Sequence, residues 1–268
     1  MEKNIAATHM PLNSEGHQQK LIEVVNLTKC YNGNPAVSEL SFSLDSGSIL
    51  GLVGPNGAGK TTTLRMLAGI VKPTSGLIRI DGFDTVKQPL VTKRITGYVP
   101  DEPHLFRSLT VWEHIEFTAS VYGLKEYSDY ADELLDRFQL GTRRNIAVHE
   151  LSLGMRQKVA ICCMYLTRPR LLLFDEPLTG LDPMGIREMS ESIARFSRAG
   201  STVIISSHLL NLVEDLCTEI MLLREGQCVL SGSLDVVLNR ISTESGNQAE
   251  SLESLFFRTI SDEQGTDC

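Results

Sequence analysis

Gly54-Pro55-Asn56-Gly57-Ala58-Gly59-Lys60-Thr61-Thr62 has the composition of a phosphate cradle. Gly54, Gly59, Lys60 and Thr61 stand at the fixed places of the spacing G-x-x-x-x-G-K-[ST]. Glycines let the backbone curl until several N–H groups point inward at oxygens, and the positive end of a following helix adds to the field. A lysine at that place supplies a compact cation to β- and γ-phosphates, and the hydroxyl after it is placed to hold Mg²⁺. A glycine-rich turn with a chance lysine would look similar in isolation. The flanks argue otherwise: Ser48-Ile49-Leu50-Gly51-Leu52-Val53 reads as a short apolar strand, and Thr63-Leu64-Arg65-Met66-Leu67-Ala68-Gly69 as a helix ending at glycine. The expected ligand is a nucleoside triphosphate.

A second set of groups completes such chemistry. Leu171-Leu172-Leu173-Phe174 is followed by Asp175-Glu176-Pro177. A buried strand ending in an acid beside the phosphate loop would let Asp175 hold Mg²⁺ through its water shell. Glu176, one residue on, could take a proton from the attacking water. Alone, the pair reads equally well as solvated acids closing a strand; after the loop, the catalytic reading is the better one.

The elements that must position these groups show in the pattern. Leu21–Leu27 and Leu40–Leu44 alternate as strands, with a turn at Asn32-Gly33-Asn34-Pro35 and a stop at Asp45-Ser46-Gly47, so two antiparallel strands should lead to the phosphate loop. Gly76–Gly82 is a further short strand between turn signals. Apolar residues at helical spacing, Val111, Ile115 and Thr118, then Leu134, Leu135 and Phe138, predict a helical insertion over about 102–167. Parallel-sheet texture returns at Leu171–Phe174 and Thr202–Ser206, with a helix from Pro183 to about Arg198 between them. Ile220–Leu223 and Gln227–Leu230 predict a hairpin around Glu225-Gly226. Residues 1–20 read as a flexible lead, and Leu252–Phe257 as a terminal helix docking its apolar side.

The 268 residues can bury a sizeable core, and no apolar run reaches the roughly 20 residues that cross a bilayer. The polar start carries no hydrophobic signal core, which argues against export. A net charge of −8 argues against a nucleic-acid partner. Cys30, Cys162, Cys163, Cys217, Cys228 and Cys268 show neither metal-type spacing nor a disulfide framework, so reduced thiols and a cytosolic setting fit best.

Between and after the acids lie Leu151-Ser152-Leu153-Gly154-Met155-Arg156-Gln157-Lys158, Leu181-Asp182-Pro183 and His208. With these in order, the sequence resembles the ATP-binding subunits of ABC transporters from about Leu21 to Leu230. The resemblance implies an α/β fold of the P-loop NTPase class: a RecA-like parallel core with an antiparallel β subdomain and an inserted α-helical subdomain. It places one ATP-binding domain at 21–233, with the helical subdomain at about 102–167 and an extension at 234–268. Tyr31 would stack on adenine. Ser152, Gly154 and Met155 stand in the family signature, where Leu153 replaces a glycine and Met155 a glutamine. The -Gly154-Met155-Arg156-Gln157-Lys158- form is familiar from single-domain exporter ATPases of bacteria. Asp182 resembles the acid that crosses the dimer interface, and His208 the switch histidine that reaches the γ-phosphate.

Asp101, at the end of Gly97-Tyr98-Val99-Pro100-Asp101, departs from the pattern, since a glutamine near Mg²⁺ is usual there. A carboxylate accepts hydrogen bonds but donates none. It could ligate Mg²⁺ directly, or disfavour the γ-phosphate when the metal is absent.

The resemblance further implies ATP and Mg²⁺ as ligands and two subunits packed head to tail, as homodimer or heterodimer. It implies separate permease subunits that hold a cytoplasmic protein at the inner membrane face, their helices docking in a groove between the Tyr98–Leu109 loop and the insertion. The cargo is set by the permease and not by this chain. A soluble ABC-type ATPase acting on DNA or ribosomes is the rival, but such chains usually carry long coiled-coil insertions or two fused nucleotide domains. A GTPase would want an N-K-x-D guanine reader, which is missing. A small-molecule kinase would need neither Ser152-Leu153-Gly154 nor His208.

Overall fold

A computed structural model describes residues 20–208 and 210–238. The elements are β1 (Lys20–Tyr31), β2 (Asn34–Asp45), β3 (Ile49–Val53), α1 (Lys60–Leu67), β4 (Ser75–Ile80), β5 (Phe83–Asp84), α2 (Pro89–Ile95), β6 (Thr96–Val99), α3 (Val111–Tyr122) and α4 (Ser128–Arg137). They continue with α5 (Leu153–Leu166), β7 (Leu171–Asp175), α6 (Pro183–Arg198), β8 (Thr202–Ser206), α7 (Leu210–Leu216), β9 (Glu219–Arg224) and β10 (Gln227–Ser233). The lead's residues 1–19 and the predicted helix at Leu252–Phe257 lie outside the described residues.

Two sheets form. The larger has strand order β10-β9-β3-β8-β7-β6, in which β9, β3, β8, β7 and β6 run parallel and β10 closes the edge as an antiparallel hairpin with β9. The smaller, β2-β1-β4-β5, is antiparallel. The apolar run of β7 shows why the parallel strands lack polar alternation. Leu171 and Leu173 enter one core with α1 and the antiparallel sheet, while Leu172 and Phe174 enter the other with α5 and α6. Both faces of the parallel sheet are covered, so every side chain of β7 and β8 is buried.

The insertion contains α3, α4 and α5. Thr110 and Glu113 start α3 with a reciprocal capping box, the Thr110 amide donating to Glu113 Oε2 at 2.7 Å and the Glu113 amide to Thr110 Oγ1 at 3.2 Å. Val111, Ile115, Leu134, Leu135 and Phe138 are buried as their spacing predicts, whereas Thr118 is half-buried and turns its hydroxyl back to His114 O. Cys162 is fully buried, and burial raises its thiol well above the usual value, leaving it protonated and inert. Cys30, Cys162, Cys163, Cys217 and Cys228 are all free thiols.

Two features differ from the sequence reading. The helix after the phosphate loop begins at Lys60, three residues earlier than the apolar pattern suggested, because Gly59 caps it in the left-handed region at φ +102°. The segment from Phe83 to Val99 holds β5, α2 and β6, whose short lengths and weak periodicity concealed them.

Candidate functional site

The phosphate loop leaves the buried end of β3 and runs into α1, so its glycines sit at the carboxyl edge of the parallel sheet. A Cβ on Gly59 would lie 2.6 Å from Ala36 O, so only glycine lets the loop pass beneath β2. The turn between β9 and β10 braces it from the other side, the Gly226 amide donating to Ala58 O at 3.1 Å. Pro55 is half-buried, while Asn56 and Gly57 form the exposed crest. Thr61 and Thr62 occupy the first turn of α1, both half-buried.

Lys60 is buried, and its ammonium donates to the loop carbonyls Gly54 O at 2.7 Å and Pro55 O at 3.3 Å. It also lies 3.7 Å from Glu176 Oε1. Glu176 follows β7 in a left-handed conformation at φ +49°, which is strained for a residue with a side chain. Its amide donates to Ser206 Oγ at 2.9 Å, and its second oxygen accepts from His208 Nδ1 at 2.8 Å. His208 is exposed, so one end of this Lys60–Glu176–His208 chain is buried and the other faces solvent.

Asp175 is fully buried at the end of β7. Three hydroxyls donate to it: Thr61 at 3.0 Å and Ser206 at 2.8 Å, both to Oδ1, and Tyr98 at 3.2 Å to Oδ2. Burial, followed by the charge of Asp175, pushes the Tyr98 phenol up to about 12, so it remains an O–H donor at working pH. Arg65 is exposed on α1, and its interaction with Tyr98 foremost, with the charges of Asp175 and Asp101 behind it, raises the guanidinium further above its usual value.

The fold thus gathers Lys60, Thr61, Asp175, Glu176 and His208. Among the described residues no hydrogen bond or ion pair joins Tyr31, Asp101, Ser152, Gly154, Met155 or Asp182 to this group. Tyr31 is half-exposed at the end of β1, with the Lys29 ammonium 5.0 Å from its ring centre. Ser152 caps α5, accepting from the Met155 amide at 3.3 Å, and Met155 is half-buried against the insertion's core. A Cβ on Gly154 would lie 2.9 Å from Gly180 O, so the signature packs directly on the loop before Asp182. Asp182 caps α6, accepting from the Gly185 amide at 2.7 Å. Asp101 is exposed beside the Arg65 field.

Sequence reasoning missed Ser206, Tyr98 and Gln157. Ser206 binds both acids of the site, and the only signal was that its strand ends level with β7, where Asp175 pairs with Ser206 in parallel register. Gln157, buried in α5, donates from Nε2 to Pro100 O at 3.3 Å.

The ABC transporter family matches residues 37–179. EcsA of Bacillus subtilis, an ABC-type transporter ATP-binding protein, is 33% identical over 247 residues, covering 91% of this chain and 98% of its own length. The chain belongs to the ATP-binding subunits of ABC transporters. The lantibiotic transport ATP-binding protein SrtF of Streptococcus pyogenes is 33% identical over 240 residues, covering 90% of this chain and 97% of SrtF. A solved ATP-binding subunit of an ABC transporter superposes with a TM-score of 0.83 at 33% identity, covering 90% of this chain and 99% of that one. The fold is therefore that of a P-loop NTPase, and this ABC subunit binds and hydrolyses ATP. No described helix is long and apolar enough to cross a membrane.

Proposed function

We propose that this subunit powers an exporter by closing on a second ATPase subunit, head to tail, with one ATP clamped between each phosphate loop and the opposite signature. One observation carries the reading: among the described residues no hydrogen bond or ion pair joins Lys60 or Glu176 to Ser152, Gly154 or Met155, as expected if a single chain holds the two halves of the chemistry apart. The signature is nevertheless equipped for an anion. Ser152 and the first amides of the 14-residue α5 offer donors and a helix N-terminus to a γ-phosphate arriving from the partner. Asp182 would cross the same interface, and Tyr31 would stack on adenine.

Within its own half, the loop amides and Lys60 bind the phosphates, Glu176 accepts the proton of the attacking water, and His208 orients that water and the γ-phosphate. Mg²⁺ fits the donor set at Asp175: the carboxylate is buried, and none of its three hydroxyl partners carries a positive charge. Thr61 and Asp175 would hold the ion, with Asp101 at its rim. Bound there, it would neutralise charge on the β- and γ-phosphates. Asp101→Ala should then raise the Mg²⁺ concentration giving half-maximal ATPase activity. An unchanged requirement would leave Asp101 only as a neighbour of Arg65.

Residues 21–233 would form the ATP-binding domain, with 102–167 as its helical subdomain. Residues 1–20 would be a lead, and 234–268 an extension. A groove of about 310 Å³ between β6, its following loop, α3 and α5 is lined by Tyr98, His104, Leu105, Tyr122, Cys163 and Met164. His114 fastens that loop, its Nε2 accepting from the Phe106 amide at 3.0 Å while Nδ1 donates to Thr110 O at 2.8 Å. A cytoplasmic helix of a separate permease would dock there and hold the subunit at the inner membrane face. Outward direction is inferred from the Gly154-Met155-Arg156-Gln157-Lys158 form. The test is dilution: specific ATPase activity of the purified chain should fall as it is diluted, since the complete site needs two copies. Activity independent of concentration would reject pairing as the source of turnover.

A further inference from the structure

Asp175 presents an asymmetric problem. Among the described residues its Oδ1 receives two hydroxyls from the site itself, Thr61 and Ser206, but Oδ2 receives a single donor from outside it, the Tyr98 phenol on β6. Tyr98 in turn lies in the field of the exposed Arg65 guanidinium on α1. A carboxylate only accepts, so the phenol's proton points at Asp175 Oδ2 and its oxygen lone pairs are left toward the guanidinium's field. The buried acid thus receives a cation's polarisation at second hand, and the torsion of its carboxyl plane is fixed from the Oδ2 side.

We propose that Arg65 and Tyr98 form a positioning relay that orients Asp175 for the hydrated divalent cation. The inference rests on the reading of Asp175 as the metal-holding acid. Tyr98 touches neither nucleotide nor metal in this account; it acts through the carboxylate, as partners of metal ligands do. Because its ring also lines the groove beside α5, the residue that sets Asp175 is the one a docked helix would press on.

The experiment measures binding rather than turnover. A fluorescent ATP analogue is bound to the purified chain, and Mg²⁺ is titrated in for the parent, Tyr98→Phe, Arg65→Gln, the double variant and Asp175→Asn. Tyr98→Phe removes only the hydroxyl, and should keep metal-free nucleotide affinity while raising the Mg²⁺ midpoint by about tenfold to a hundredfold, the range for one hydrogen bond to a charged group. Arg65→Gln should shift the midpoint in the same direction, and the double variant by less than the product of the two. Thermal unfolding monitored in parallel separates this from packing, since a merely structural loss would lower the melting temperature and leave the midpoint in place. A midpoint unmoved in Tyr98→Phe while Asp175→Asn abolishes the Mg²⁺ response overturns the relay. A midpoint unmoved in Asp175→Asn as well overturns the metal reading of Asp175, and the relay falls with it.

Discussion

Glu176→Gln will bind ATP about as tightly as the parent chain and hydrolyse it at least about a hundredfold more slowly. The amide has the carboxylate's size, and its oxygen can still accept from His208 Nδ1, so the geometry set by the Ser206 hydroxyl should survive. What it loses is basicity. A neutral amide cannot take the proton of an attacking water, and it gives Lys60 no counter-charge. The strained backbone at φ +49° strengthens the case, since such a conformation persists only where the surroundings enforce it and here it aims the side chain toward the phosphate loop. Phosphate release under saturating ATP and Mg²⁺ checks the rate, and a fluorescent ATP analogue checks the binding. Normal turnover would remove Glu176 as the base.

Lys60→Ala should weaken nucleotide binding by about tenfold to a hundredfold, the weight of a charge-assisted hydrogen bond. The ammonium is held in place before any ligand contact by Gly54 O and Pro55 O, so little ordering remains to be done when phosphate arrives. Truncation also leaves those carbonyls without their donor at a buried position, which should loosen the loop itself. Equilibrium titration with the same analogue reads the effect. Unchanged affinity would contradict the phosphate-loop assignment.

The local chemistry was legible because it is contiguous. The glycine loop, the buried strand with its two acids, and the helix from Pro183 to Arg198 each fit within one stretch of sequence and follow one periodicity. The hairpin at Glu225-Gly226 and the antiparallel pair of β1 and β2 were legible for the same reason. Contacts that depend on strand order were not. Ser206 reaches Asp175 across 31 positions, and Tyr98 does so across 77, through registers that no local pattern encodes. The four-residue β6 is too short to show alternation, and its tyrosine read as part of a site segment rather than as a strand residue aimed at an acid. The early start of α1 was hidden by Gly59, whose backbone freedom, not side-chain pattern, sets the helix boundary. Ser152 and Asp182 show the converse: both act as helix caps here, so their local geometry is explained without a partner and their further role depends on one.

Pairing is the claim on which the mechanism stands, and mass measured by light scattering tests it most directly. Glu176→Gln chains of about 29.6 kDa should run singly without nucleotide and at about twice that mass with ATP and Mg²⁺, reverting when ATP is replaced by ADP. Chains that remain at the single mass with bound ATP and metal, at concentrations where the parent hydrolyses ATP, would contradict the account.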